Sequence, residues 1–321
     1  MNLEQLRGFV EVADLGHFTQ AAAKLHLAQP SLSRQISSLE VELGAELFHR
    51  ARGNITLTDA GETLLPRARR MLADADTIRA EMGELAGLQR GRVRLGATPT
   101  LCISLVAEAM AAFHSAHPGV ELLLTEAGSN VLIEQLAAGT VDMALITLSD
   151  ALPVSGSALV RTPLLTEELV VVSSAEHAPV AEEGIDLEAL SRLPLVFFAE
   201  SYDLRAVTDS AFRAAGLAPT PVVEGAEMDA VLRFVERGLG VAVVPAMVLL
   251  DRPTLRSVRL IEPRLIRTIG LAHRSDVNPT RAASAMRRVI AATARELVER
   301  DPATMALVAG MPGGGSRAAG R

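Results

Sequence analysis

With 321 residues, about half of them apolar, the chain is long enough for two or more domains with sizeable cores. Its formal net charge of −7 has the wrong sign for a nucleic-acid binder and counts against that class, less so if phosphate contact were confined to one small face. A lone cysteine, Cys102, excludes an internal disulfide and a Cys-x-x-Cys zinc site. The apolar runs read as too short for a membrane span of roughly 20 residues. The N-terminus, MNLEQLRGFVEVADLG, lacks the basic start and apolar stretch of a signal peptide. The expectation is a cytoplasmic protein with no membrane partner.

Residues 3–15 read as a first helix, with Leu3, Leu6, Phe9, Val10 and Ala13 as its apolar stripe and Gly16 ending it. A short second helix spans 18–25, and His26-Leu-Ala-Gln29 is a turn. Pro30 suits the first position of a third helix. In that helix Leu32, Ile36, Leu39 and Leu43 form the apolar stripe, whereas Pro30, Ser33, Arg34, Ser37 and Ser38 lie on the other side, with one cation and no carboxylate. Two short helices, a tight turn and a third inward-packing helix form a helix-turn-helix. Residues 47–57 follow as a hairpin around Arg52-Gly53-Asn54, which would make the module winged.

A long helix is expected over roughly 58–86, with Thr58 as N-cap and Pro66 bending its first turns. Leu64, Ala68, Met71, Ala75, Ile78, Met82 and Leu85 alternate spacings of four and three, the pattern of a coiled-coil seam. Residues 59–90 are therefore read as a linker and dimerisation helix; the bland alternative is an ordinary core helix.

From Val93 strands and helices alternate. Strands 93–97, 120–126, 141–146, 169–173, 194–199, 221–225, 241–245 and 268–273 are interleaved with helices 101–116, 129–138, 204–215 and 227–237, and a helix over 279–298 closes the pattern. This predicts two α/β lobes with mostly parallel sheets over residues 91–299, the first about 91–161 and 268–299, the second about 162–267. Residues 300–321, Gly-rich at the end, read as a flexible tail.

The first 60 residues resemble the LysR-type transcriptional regulators. The resemblance rests on LRGFVEVADLGHFTQAAAKLHLAQPSLSRQISSLEVELGAELFHR and ITLTDAGETLL. It continues more loosely through VRLGATPT, EAGSNVLIEQLAAGTVDMAL and VERGLGVAVVP, to about residue 298. It implies an N-terminal winged helix-turn-helix, a linker helix, and an α/β two-lobed effector domain like the periplasmic binding proteins. It also implies a homodimer or homotetramer on promoter DNA with dyad symmetry, and recruitment of RNA polymerase. No resident cofactor is implied beyond a small-molecule effector.

On that resemblance the third helix enters the major groove. Arg34 suits a bidentate contact to guanine and Gln29 one to adenine. Ser33 reaches a base or a phosphate. Ser31, Ser37 and Ser38 suit phosphates, beside Pro30, and Thr19 and Gln20 meet the backbone from the second helix. Arg50 and Arg52 on the wing lie along phosphates or enter the minor groove.

Ligands of open α/β sheets sit at the carboxyl ends of strands. The first strand ends at Thr98-Pro99-Thr100, with Thr100 as expected N-cap, and the next ends at Gly128-Ser129. Across the cleft lie Phe198, Glu200, Ser201 and Glu227. Helix N-termini favour an anionic effector, but no arginine is placed to clamp a carboxylate, and the two glutamates favour a polar or cationic one. Cys102 reads as an inert thiol, since a peroxide sensor of the family would be expected to use two cysteines.

Rival readings find less support. Gly238-Leu-Gly240 resembles half a dinucleotide fingerprint but stands between a helix and a strand, the reverse of what a nucleotide turn needs. His114 and His117 lack a third metal ligand nearby. An enzyme is therefore not expected. A solute-binding receptor with no DNA role and an effector-independent regulator are the remaining alternatives.

Overall fold

A computed structural model describes residues 1–51, 54–85, 91–148, 159–176, 184–200, 202–300 and 308–310. The N-terminal module holds α1 (Leu3–Leu15), α2 (Phe18–Lys24) and α3 (Gln29–Leu43), then strands β1 (Phe48–Ala51) and β2 (Asn54–Leu57). Asn2 and Gln5 cap α1 reciprocally, and Gly16 ends it at φ 67°. The apolar stripes of the three helices meet in one core that includes Leu6, Phe9, Val12, Leu32, Ile36 and Leu39. Gly8 lets α3 come close: a Cβ there would lie 2.7 Å from Leu32 Cδ1. The hairpin is antiparallel, with Phe48 opposite Leu57, and Phe48 packs between Phe9 and Phe18 at 5.3 and 5.9 Å between ring centres.

Helix α4 (Asp59–Leu85) follows Thr58, whose Oγ1 accepts from the Gly61 amide at 3.1 Å. Gly61 is required by close approach, since a Cβ would meet the Leu47 carbonyl oxygen at 2.3 Å. The heptad seam divides in two. Ala68 is fully buried and Leu64 packs against the N-terminal core, so both belong to the interior of the module rather than to a dimer seam. Ala75 is half-buried, while Met71, Ile78 and Met82 are 41, 58 and 55% exposed. The Leu85 side chain lies outside the described residues.

The C-terminal domain starts with β3 (Gly91–Ala97), α5 (Pro99–Leu101), a π-helical turn (Cys102–Val106) and α6 (Ala107–Ala116). Next come β4 (Val120–Glu126), α7 (Ser129–Ala138), β5 (Met143–Leu148) and the 16-residue β6 (Leu159–Ser174). The second lobe contributes α8 (Leu187–Ser191), β7 (Leu195–Phe198), α9 (Asp203–Ala214), β8 (Pro221–Ala226), α10 (Met228–Glu236), β9 (Ala242–Pro245) and β10 (Leu255–Arg259). The chain returns through β11 (Ile266–Arg274), α11 (Arg281–Arg300) and β12 (Val308–Gly310).

The lobes are joined differently from the mostly parallel sheets that strand–helix alternation predicts. β3 pairs with β4 and β5 in parallel, and β7 with β8, but every pairing made by β6 and β11 is antiparallel. The reason is connectivity: β6 runs from the first lobe into the second and β11 returns beside its first-lobe half, so neither closes a β–α–β unit. Residues 159–168 of β6 pair with β11, whereas 169–174 pair with β9 and β10. The lobe boundary on this strand thus falls near 168, not 161. Tail residues Val308–Gly310 also pair with β6, so the region after 300 is not uniformly without structure; 301–307 and 311–321 lie outside the described residues.

The segment Pro99–Ala116 does reach the length and mean hydropathy of a membrane span. Its Leu101, Leu105, Ala109 and Phe113 are fully buried in the protein core. The two glycines of Gly238-Leu-Gly240 serve packing. Gly238 follows α10 at φ +76°, and a Cβ on Gly240 would sit 2.3 Å from the Pro194 carbonyl oxygen.

Candidate functional site

On the N-terminal module, Thr19 and Gln20 are exposed in the first turn of α2, whose N-cap, His17, makes no side-chain cap bond. Helix α3 starts at Gln29, placing Pro30 second rather than first. Gln29, Pro30, Arg34 and Ser38 are exposed, and Ser31, Ser33 and Ser37 are half-buried between that face and the core. Arg34 Nε donates to the Pro30 carbonyl at 3.3 Å, a contact that keeps the guanidinium at the N-terminal end of the helix. Acids of this module are used internally. Glu40 accepts from the Leu47 amide at 2.9 Å, Glu42 pairs with the N-terminal amine, and Glu11 and Asp14 pair with Lys24 and Arg69. Lys24 is held above its ordinary value, first by its hydrogen bond to Glu11. The surface around Arg34 therefore carries less negative field than the composition implies. Arg50 lies on β1; its side chain, and the whole of Arg52, lie outside the described residues.

The second site is a cavity of about 270 Å³ between the lobes, lined among others by Thr98, Thr100, Glu126, Tyr202, Asp203, Glu227 and Arg267. The first-lobe expectations need one correction. The N-cap is Thr98, because Pro99 occupies the first helical position, and Thr100 stands inside the first turn. Thr100 Oγ1 accepts instead from Arg267 at 2.9 Å. Ser129 follows Gly128, the N-cap of α7, and makes the contact expected of an effector with a residue of this chain. Asp203 accepts from the Ser129 amide at 3.2 Å and from its hydroxyl at 2.7 Å, bridging the lobes.

Of the second-lobe residues expected here, Glu227 lines the cavity and accepts from the Tyr202 hydroxyl. Burial, and then the Glu227 bond, push the Tyr202 phenol well above its ordinary value. Phe198 is not a lining residue: it is 3% exposed and stacks behind the wall on Tyr202 at 5.3 Å. All four residues of β7 are buried, so neither face of that strand is open to the cleft. Glu200 is exposed and does not line the cavity, and Ser201 lies outside the described residues.

Sequence reasoning missed Tyr202, Asp203, Glu126 and Arg267. Asp203 has a readable signal, an acid in the first turn of a helix facing the cleft; the distant Arg267 has none. Arg267 is 9% exposed in its side chain. Its Nε donates to the fully buried Glu167 at 2.9 Å, and its Nη2 lies 2.7 Å from the same carboxylate. Glu167 also accepts from the Met247 amide at 3.0 Å. Arg205 is equally committed, to Asp209, Glu224 and the Phe198 carbonyl, with its guanidinium over the Phe197 ring at 4.6 Å. Cys102 lies beside the cleft wall, its thiol pushed up to about 12 by burial and then by Glu126. Among the described residues no cluster of His, Cys, Asp and Glu is arranged to hold a metal.

A third set of contacts ties α4 to the first lobe. Arg274, at the end of β11, donates to Asp276 at 2.9 Å and to Asp74 of α4 at 3.3 Å, and Arg70 of α4 also pairs with Asp276. Asp276 is held below its ordinary value, first by the Arg274 hydrogen bond. Ala73 packs at Gly139, where a Cβ would be 2.9 Å from the alanine methyl.

Comparison with known proteins agrees with this division. Residues 3–62 match the family described as "Bacterial regulatory helix-turn-helix protein, lysR family", and residues 86–295 match "LysR substrate binding domain". The chain is 31% identical over 272 residues to the uncharacterized HTH-type transcriptional regulator YybE of Bacillus subtilis, covering 85% of this chain and 92% of that one. It is 33% identical over 274 residues to a "Probable nitrogen assimilation transcriptional activator" of Synechococcus elongatus, covering 84% and 88%. Among solved structures, a full-length single-substitution variant of OxyR from Pseudomonas aeruginosa superposes with a TM-score of 0.66 at 27% identity over 92% of this chain and 95% of that one. CbnR in complex with its target DNA shares the fold, with a TM-score of 0.63 at 23% identity over 92% and 100%.

Proposed function

This chain belongs to the LysR family of transcriptional regulators, with a DNA-binding helix-turn-helix and an effector-binding domain, and we propose how its residues divide that work. Arg34 reads a guanine, Gln29 an adenine, and Ser33 a base or phosphate in each half of an operator with dyad symmetry. Thr19, Gln20, Ser31, Ser37, Ser38 and the wing around Arg50 and Arg52 grip the backbone. The observation that carries this reading is the exposed face of α3 from Gln29 to Ser38, where one arginine stands among short polar side chains with no carboxylate. Met71, Ile78 and Met82, exposed along one side of α4, form the contact with a second copy. The effector occupies the cleft between Thr98, Thr100 and Glu227.

β11 supports a route between the two functions. One of its ends places Arg267 at the cleft and the other places Arg274 against α4. Closing the lobes differently moves this strand, and with it the angle of the linker helix and the spacing of the recognition helices. An effector acts only through its differential affinity for those states. The protein then recruits RNA polymerase in the cytoplasm, and catalyses no reaction of its own.

Fluorescence anisotropy tests the DNA assignment. Wild type and Arg34→Ala are titrated against the chain's own upstream DNA and a scrambled duplex at two salt concentrations. The expected result is a loss of about 1–3 kcal/mol of discrimination in the variant. Equal discrimination by the two proteins refutes the role given to Arg34.

A further inference from the structure

The cleft's lining is acidic, and its cations are already committed. Glu126, Asp203 and Glu227 face the cavity with one cation, Arg267. That guanidinium donates Nε to Glu167 and Nη1 to Thr100, while Nη2 stands 2.7 Å from the Glu167 carboxylate as an ion pair without a hydrogen bond of its own. Arg205, on α9, is bound by Asp209 and Glu224. The amide at the start of α7, the place where an anionic ligand would gain most, already holds the Asp203 carboxylate. A carboxylate ligand would meet three like charges without a free counter-ion, and would have to displace an intramolecular acid from the helix terminus that suits it.

A second, independent feature points to a ligand. Thr98 is only 4% exposed, lines the same cavity, and its Oγ1 has no hydrogen-bond partner. A buried hydroxyl left unsatisfied costs free energy that a bound donor would recover. Glu227 is fixed by Tyr202, so one of its oxygens is already oriented.

Building on the cleft as effector site, we propose that the effector is a small primary amine, whose ammonium is held by Glu126, Glu227 and the Thr98 hydroxyl. An ammonium has three donors and no acceptor, matching two carboxylates and one unpartnered oxygen.

Isothermal titration calorimetry on the full-length protein tests this with matched probes: n-butylamine and 1,4-diaminobutane against butyrate and succinate. The amines bind wild type and the acids do not. Glu126→Gln and Glu227→Gln each weaken amine binding about tenfold or more, the loss of one charge-assisted hydrogen bond. Both glutamates are exposed, and an unchanged circular-dichroism spectrum verifies that each variant is folded. Thr98→Val weakens amine binding as well. Binding of succinate or butyrate, abolished by Ser129→Ala, overturns the amine assignment while keeping the cleft as the effector site. Amine binding unchanged in all three variants overturns the site itself. Absence of amine binding at millimolar concentration overturns the proposal, and the Arg34 titration tests the DNA-binding role separately.

Discussion

On α3, residues 29–38 present one arginine and no acid; in the cleft, three carboxylates face one arginine that is already bound to Glu167. The same acidic chain builds both surfaces. The difference lies in where the counter-charges sit. Around α3, the acids are drawn into internal bonds, to the Leu47 amide, to Lys24 and to Arg69, leaving Arg34 for an outside partner. In the cleft the arginines are drawn inward and the acids remain. A net charge of −7 is therefore uninformative about either site, because short-range pairing decides which charges a partner meets.

The comparison can be broken most severely through α4, which packs on α1 of the N-terminal module and on α7 and β3 of the first lobe. Ala68→Asp places an unpaired charge in the N-terminal core and should cost on the order of 3–5 kcal/mol, read by urea denaturation. Ile78→Asp, further along the same helix, should dissociate the dimer in sedimentation velocity and lower urea stability only by the lost dimer contact, a difference that vanishes when the wild type is diluted to monomer. If both variants behave alike, the division of the helix into a core half and a contact half is wrong.

Smaller effects sharpen it. Ser129→Ala removes the interlobe bond that its hydroxyl makes to Asp203, and should lower stability by about 1.5–3 kcal/mol, with faster hydrogen exchange at the start of α7. Arg34→Ala should leave the melting temperature unchanged while losing DNA discrimination, since its side chain makes a local bond to its own helix. The smallest effect is acid sensitivity of the clasp between α4 and the first lobe. Asp276 titrates below its unfolded value because of Arg274, so its stabilisation is present above the ordinary carboxylate range and is lost as pH falls through the folded value. Hydrogen exchange around 70–77 should accelerate below about pH 4. Asp276→Asn should bring the faster exchange to neutral pH and flatten the acid dependence.

Legibility follows the range of the interactions. Helix α3, its apolar stripe and the Thr58 cap are readable because they depend on neighbours three or four residues away. The heptad pattern of α4 is readable too, but not which half packs inside, since Leu64 and Ala68 are sorted from Met71 and Ile78 by the distant Phe9 and Leu32 core. Of the cleft residues expected from sequence, Thr98, Thr100 and Glu227 line the cavity, and Phe198 and Glu200 do not. Strand ends can be counted along the chain, whereas the burial of β7 is set by its packing against helices α9 and α10.

Sequence alone determined the helix-turn-helix, the order of the α/β elements apart from α8, β10 and β12, and the acid-free character of the α3 face. All three rest on periodicity and on residue types close together in the chain. Only the tertiary structure decided that β6 crosses between the lobes with β11 antiparallel beside its first half, that Asp203 fills the start of α7 from 74 residues away, and that Arg267 is bound to Glu167 across 100 residues. Such pairings depend on the path of the chain through space, and a cleft takes its charge from them rather than from composition.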